Sequence, residues 1–357
     1  MPKRSYLAII VLSLLCGGGC SEETLQKLKP RAVALGTVNQ LTIISDTDLW
    51  ENEIGDSIQY YFGSAFPLLP QPEPLFDLKH YTPEDIQSEP LRRELKAYLI
   101  IANVSDESSA TRKFLVKEIG ETSVLKAVND PSPTNFIRKD LWAEGQILVF
   151  LFANSNSVLL EEIIQRFPAI AQRVQDHYIP QIDANVYLTG QNRKINQTIQ
   201  DSLKLNLKVP GDYFLAYIID NTIWIRKETD ILSSNIIIHR LEYRSQEQFS
   251  KESIIALRDS LGKQLVRTDI PGSFMKTNDI DLPVFLQRIN LAETYAVEIR
   301  GIWEMAEDFM GGPFISYLLL DESDSELVFV DAFVHAPGAD KRNFMLHLEH
   351  IISSITL

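Results

Sequence analysis

The sequence predicts a mixed α+β protein in two parts: a layered α/β domain over residues 38–180, then a mostly antiparallel α+β sandwich over residues 209–357. Three observations carry this expectation. In the first part, short apolar or β-branched runs alternate with stretches of helical periodicity, the pattern of stacked strand and helix layers. In the second part, apolar runs follow one another across short turns with few helices between them, the pattern of antiparallel pairing. Residues 181–208 separate the two; they are polar and partly helical (KINQTIQDSLKL) and read as a bridge.

Gln40 to Ser45 (QLTIIS) has the β-branched composition of a strand. Asp46, Thr47 and Asp48 follow as a cap for a helix around Trp50 to Phe62, where Leu49, Trp50, Ile54 and Ile58 recur at near-helical spacing. Four prolines between Pro67 and Pro74, with Leu75 to Leu78 after them, read as a stiff surface crossing. Ala97 to Val104 (AYLIIANV) is apolar enough for a strand buried on both faces. A helix is expected over Phe114 to Leu125, a loop from Pro131 to Trp142, and a third strand over Gln146 to Ala153 (QILVFLFA). Ser157 to Tyr178 carries apolar residues at 159, 160, 163, 164 and 167, the repeat of a long helix.

In the second part, Val209-Pro-Gly-Asp-Tyr213 is a turn that opens strands near 213–219, 222–228 and 235–243. A helix over Lys251 to Val266 and a loop over Ile270 to Met275 come next. Strands near 294–303, 313–320 and 327–335 precede a last helix over Lys341 to Ser354.

The first 23 residues have a different character. Lys3 and Arg4 lead into an apolar run from Tyr6 to Leu15, about ten residues where a membrane-crossing helix needs about twenty. The run fits the apolar region of a cleaved signal over residues 1–19. Gly17, Gly18 and Gly19 supply small residues ahead of Cys20, so the segment resembles a lipobox. That resemblance implies that Cys20 becomes the lipidated first residue of the mature chain, with residues 20–37 as a tether. Ser21, Glu22 and Glu23 resemble a surface-export signal, with the start of a solvated linker as the alternative. The expected location is therefore the cell envelope, lipid-anchored at the outer membrane.

Both cysteines, Cys16 and Cys20, fall in this segment. Without residues 1–19 the only sulfhydryl is the one expected to carry lipid, which excludes disulfides, thiol catalysis and cysteine-ligated zinc. The formal charge is −14; without Lys3 and Arg4 it is 32 cations against 48 anions, or −16. Such a balance repels nucleic acid, so no nucleic-acid partner is expected. A hydrophobic content of 45% with 9% aromatics is that of a globular chain.

The densest polar and aromatic stretch is Glu298 to Glu304 followed by Met305 to Pro313. On a strand, Glu298, Arg300 and Ile302 share one face, and Ile299, Gly301 and Trp303 share the other. The functional reading is a ligand groove: Arg300 anchors an anion, Trp303 is a platform, Glu304 and Asp308 stand at the strand exit, and Gly311 and Gly312 make a turn without side-chain walls. A structural β-turn-β with ion-paired strand residues is the alternative. Asp46-Thr-Asp48 has the form of a phosphotransferase motif but lacks the residues such sites place after it, so a helix cap is preferred. His347 and His350 have no evident third metal ligand. Ser273 lacks the second glycine of a nucleophile elbow. No phosphate-binding loop or dinucleotide fingerprint occurs, so neither cofactor nor metal is expected. Asp56-Ser-Ile58, Asp201-Ser-Leu203 and Asp259-Ser-Leu261 resemble a short O-glycosylation sequon, with ordinary helix-surface residues as the alternative.

The stretches LWENEIGDSIQ, LPQPEPLFDL, RKDLWAEGQ, VPGDY with IWIRKE, IPGSFM, AVEIRGIWEMAEDFMGGPF and VHAPGADKRN resemble, in this order, a family of Bacteroidetes-type lipoproteins recorded only as a domain of unknown function. The resemblance implies an envelope location and carries no activity. The VPGDY entry, the Trp-Ile-Arg strand, the edge strand ending in His335-Ala-Pro337 and the last helix also loosely resemble the PsbP-like sandwich, a likeness of fold alone. The expected role is a binding or accessory module for an envelope protein or small ligand, with membrane contact through the lipid. A glycan or peptide hydrolase using Glu304 and Asp308 as acid and base is the alternative.

Overall fold

The computed structural model describes residues 31–129, 134–323 and 325–357. Cys20 and the signal segment expected before it lie outside the described residues. No helix among the described residues is long and apolar enough to cross a membrane.

The first sheet is built from β1 (Gln40–Ile44), β2 (Asp77–Tyr81), β3 (Ala97–Asn103), β4 (Thr134–Lys139) and β5 (Ile147–Ala153), in the order β2-β1-β3-β5-β4. All neighbours run parallel except β4, which is antiparallel to β5. β5 is buried at every position and β3 at all but its last, as central strands covered on both faces must be. β2 and β4 form where a surface crossing and a loop were expected. Both are edge strands, and an edge tolerates the charges of DLKHY and TNFIRK that erase an apolar alternation.

The helices of this part are α1 (Thr47–Trp50), α2 (Glu53–Phe62), α3 (Pro83–Ser88), α4 (Ala110–Ile119), α5 (Glu121–Asn129) and α6 (Asn156–Val186). Two expected helices are each divided. The Asn52 side chain accepts from the Ile54 amide at 2.8 Å and starts α2 afresh, and Gly120, at φ 90°, separates α4 from α5. α6 runs past both Pro168 and Pro180, beyond the expected end at Tyr178. Its final turns bury Ile182 and Val186, and that packing outweighs the amide hydrogen bonds the prolines lack.

α7 (Arg193–Leu203) buries Ile195, Ile199 and Leu203, a spacing of four that keeps one helical face in the core. The second sheet contains β6 (Phe214–Ile219), β7 (Thr222–Thr229), β8 (Leu232–Glu242), β9 (Phe274–Asn278), β10 (Phe285–Leu291), β11 (Thr294–Ala306), β12 (Gly311–Asp321) and β13 (Glu326–His335). Its order is β10-β11-β12-β13-β8-β7-β6, all antiparallel, and β9 pairs with the part of β11 that β10 leaves free. α8 (Lys251–Leu265) covers one face, and α9 (Arg342–Ile352) lies on the other.

One apolar core spans both sheets. Leu41, Leu99 and Leu151 of the first sheet, Val174 and Tyr178 of α6, Leu348 and Ile352 of α9, and Val328 and Val330 of the second sheet belong to a single cluster. α6 and α9 are thus packed between the sheets. The proline-rich crossing is part of this junction rather than a surface strap. Leu69 and Glu73 are buried, and the Glu73 carboxylate accepts from the Lys341 and Arg342 amides at 2.6 and 2.9 Å, at the N-terminus of α9. Arg342 in turn pairs with Asp77 at 2.7 Å. A carboxylate at a helix start satisfies donors that the helix itself cannot, which is why a charged residue is tolerated there out of water.

Candidate functional site

The structure separates the residues expected to form a groove. Arg300 and Trp303 point to opposite faces of β11. Arg300 faces α9, where its guanidinium pairs with Glu349 at 2.7 Å and with Glu298 at 2.6 Å. Burial opposes its charge, but Glu349 and Glu298 outweigh that and hold the guanidinium above its ordinary range. Two carboxylates therefore occupy the charge that an anion would need. Trp303 lies on the α8 side of the sheet, 3% exposed, with its indole N–H donating to the Val334 carbonyl at 3.1 Å and its ring edge-on to Phe333. A buried indole of this kind is a core residue, not a platform.

The neighbouring positions follow the same logic. Glu304 pairs with Lys276 at 2.8 Å and accepts from Asn278 at 2.7 Å, and Asp308 accepts the Phe309 amide. A Cβ at Gly312 would stand 2.0 Å from the Val334 carbonyl oxygen, and one at Gly301 would stand 2.8 Å from the Phe314 ring. These glycines let protein approach protein. Gly311 opens β12 opposite Glu304.

The C-terminal ends of the parallel strands, where open α/β sheets commonly hold ligands, are closed by protein groups. Asp46 does not cap its own helix. Its carboxylate accepts from Ser109 Oγ and the Thr111 amide at the start of α4, across more than sixty residues of chain. Ser45 is 1% exposed, and its hydroxyl lies 3.0 Å from His80 Nε2, while the His80 ring stacks on Trp50. His350 contacts Asp183 at 2.8 Å, and no group of metal-binding side chains occurs among the described residues. Ser273 is buried and receives the Thr268 hydroxyl.

The concave surface lies elsewhere, in the stretch read as a bridge. α7 turns its apolar side chains inward, and the chain then extends with Leu205, Leu207 and Val209 buried and Lys204, Asn206 and Lys208 outward. Two adjoining hollows of about 450 and 410 Å³ lie between the outer face of α7, this extended segment and the end of the chain. They share Gln197, Gln200 and Asn206. Arg193, Asn196, Lys208, Ser354 and Thr356 line one, and Asp201, Lys204 and Leu357 the other.

The floor of this trough is fixed by hydrogen bonds. Asn206 and Thr356 exchange backbone bonds at 2.8 and 3.1 Å, Lys208 N donates to Ser354 Oγ at 3.0 Å, and Val209 N donates to Asn196 Oδ1 at 3.0 Å. Asp201, the only carboxylate side chain on the lining among the described residues, accepts from Gln197 at 2.8 Å. Arg193 and Lys208 have no ion-pair partner among the described residues, and Lys204 Nζ donates to the Asp201 carbonyl at 3.0 Å. The arrangement offers cations, amides and hydroxyls on a rigid base. Two sequence signals mark it: the polar face Arg193, Asn196, Gln197 and Gln200 at helical spacing, and the strict alternation of residues 204–209.

No curated protein matches the chain. Among solved structures it is weakly similar to LpqN, involved in cell envelope biogenesis of Mycobacterium tuberculosis, at 12% identity, covering 43% of this chain and 82% of that one, with a TM-score of 0.27. It is weakly similar as well to the Saccharomyces cerevisiae Ran-binding protein Mog1p, at 10% identity, 42% and 88% coverage and a TM-score of 0.27. Family models match both halves: residues 34–187 match a domain of unknown function (DUF8532), and residues 192–354, which hold α7 and most of the trough, match another (DUF4837). The chain thus joins two domains of unknown function in an α+β architecture whose two sheets share one core.

Proposed function

We propose that the chain is a lipid-anchored cell-envelope protein, held at the outer membrane through Cys20, that works as a binding or accessory module with the trough beside α7 as its ligand site. The observation that carries this reading is the pair of trough cations, Arg193 and Lys208, that meet no carboxylate among the described residues, in a chain of formal charge −14. A strongly acidic protein that leaves cations uncompensated in a hollow favours an anion there. The amides and hydroxyls of Gln197, Gln200, Asn206, Ser354 and Thr356 suit a ligand rich in hydroxyl or carbonyl groups. The ligand class is therefore anionic and polyhydroxylated, of the kind found in acidic sugar chains.

Titration of the full chain with oligogalacturonate, beside a neutral maltooligosaccharide of similar length, tests the site. The charged sugar binds more tightly, and an Arg193→Gln/Lys208→Gln variant loses about tenfold in affinity, ~1.4 kcal/mol, with its melting temperature unchanged because both side chains are exposed. Equal binding by variant and parent would remove the trough as the site.

The anchor rests on the charge, apolar and small-residue order ahead of Cys20. Cys20→Ser should abolish incorporation of labelled palmitate and move the protein from the membrane to the soluble fraction. A variant that stays membrane-bound would overturn the anchor and leave the trough reading standing.

A further inference from the structure

β6 is the outermost strand of the second sheet, paired on one side with β7 and on the other with no strand among the described residues. Edge strands present unpaired amide and carbonyl groups, and proteins ordinarily blunt them with lysine, proline or inward charge. β6 (FLAYII) has none of these. Phe214, Leu215, Tyr217, Ile218 and Ile219 are 44%, 39%, 42%, 45% and 38% exposed. Phe214 and Tyr217 stand opposite Arg226 and Trp224, while Leu215 and Ile218 stand opposite Ile225 and Ile223, so the strand is open on both faces of the sheet. The sole irregularity is a register shift between Leu215 and Tyr217.

The charges around this edge are arranged in brackets. Asp212 precedes β6 and Asp220 follows it; Glu228 lies at the end of β7 that extends past Phe214, and Asp230 follows in the turn after that strand. Lys227 pairs with Asp212 at 2.6 Å and Arg226 pairs with Glu228. Asp220 and Asp230 have no ion pair among the described residues, which leaves one uncompensated carboxylate beyond each end of the apolar strand.

We propose that β6 is a docking edge that accepts an extended apolar segment of another protein, carrying a cation at each end, as an added strand of the sheet. Backbone pairing supplies the attachment, the exposed side chains on both faces supply apolar cover, and the acidic brackets select the ends of the incoming segment. A second copy of this chain fits poorly, since antiparallel pairing of β6 with itself brings the acidic ends of the two copies together.

Fluorescence anisotropy on the full chain tests this with labelled peptides of alternating valine and threonine, one flanked by lysines, one by glutamates, and one lysine-flanked with a central proline. The lysine-flanked peptide is expected to bind at least about tenfold more tightly than either control. It should also slow amide hydrogen exchange over residues 214–219. A Tyr217→Thr/Ile218→Thr variant should weaken it by about tenfold, and Asp220→Asn/Asp230→Asn should erase the preference for lysine flanks, with melting temperatures unchanged. Equal binding of lysine- and glutamate-flanked peptides to the parent overturns the bracket, and unaltered binding by the Tyr217/Ile218 variant overturns the edge. A concentration-dependent dimer of the parent, dissolved by that variant, would make a second copy the occupant instead.

Discussion

Replacing Arg258 with methionine is expected to cost the fold about 3–5 kcal/mol, the range for removing one partner of a buried ion pair. Arg258 stands on α8 with no exposed surface. Its Nε donates to Asp331 Oδ1 at 3.0 Å, its Nη1 donates to Thr277 Oγ1 at 3.1 Å, and its guanidinium lies 3.7 Å from the centre of the Phe314 ring. Asp331 is 2% exposed and, besides Arg258, accepts the Ser316 hydroxyl at 2.7 Å. Methionine fills the volume but leaves the Asp331 carboxylate buried without its counter-charge, and that uncompensated charge is the origin of the loss. The denaturation midpoint in urea should fall with an unchanged slope. An Arg258→Met/Asp331→Leu double variant should recover part of the loss, because no charge is then stranded. A single variant within about 0.5 kcal/mol of the parent would show that the pair does not hold α8 to the sheet.

Acidification is expected to weaken the fold well above the carboxylate range, with His347 the largest single contributor. Burial drives its imidazole down from 6.5 to about 4; Lys227 and His350 add to that, and Asp212 opposes it. The unfolded chain protonates this side chain near its ordinary value, and the folded chain does so only near 4. The stabilisation is therefore complete above about pH 6.5 and is lost as the pH falls toward 4. Between about pH 7 and pH 5 the loss from His347 is about 2 kcal/mol. Burial also lowers His80, His177 and His239, which act in the same direction. Urea denaturation at the two pH values measures the loss, and His347→Gln should shrink it. A variant with the full pH dependence of the parent would assign the effect to other groups.

Legibility from sequence followed the strength of the apolar signal. The fully buried β3 and β5 and the long α6 are plain in AYLIIAN, ILVFLFA and the spaced apolar residues after Ser157, since burial on all sides demands apolar side chains at known spacing. β2 and β4 were hidden because edge strands have no such demand. Arg258 sits at an ordinary helical position, and nothing local marks that its guanidinium meets Asp331 seventy-three residues later. The surroundings of Arg300 and Trp303 were hidden for a related reason. The alternation of β11 correctly puts Arg300 and Trp303 on opposite faces, yet which face meets α9 and which meets α8 depends on how those helices dock.

The sequence by itself determined the mixed α+β class, the order of most elements, the acidic surface and the absence of any thiol beyond Cys16 and Cys20. Composition and periodicity are properties of neighbouring residues and need no partner. Only the tertiary structure decided that Glu73 caps a helix in the other half of the chain, that Arg300 is spent on Glu349, that the bridge encloses a cation-lined trough, and that β6 stands open at an edge. Each depends on contacts between segments far apart in the chain, where the choice of partner is made by packing and burial of charge.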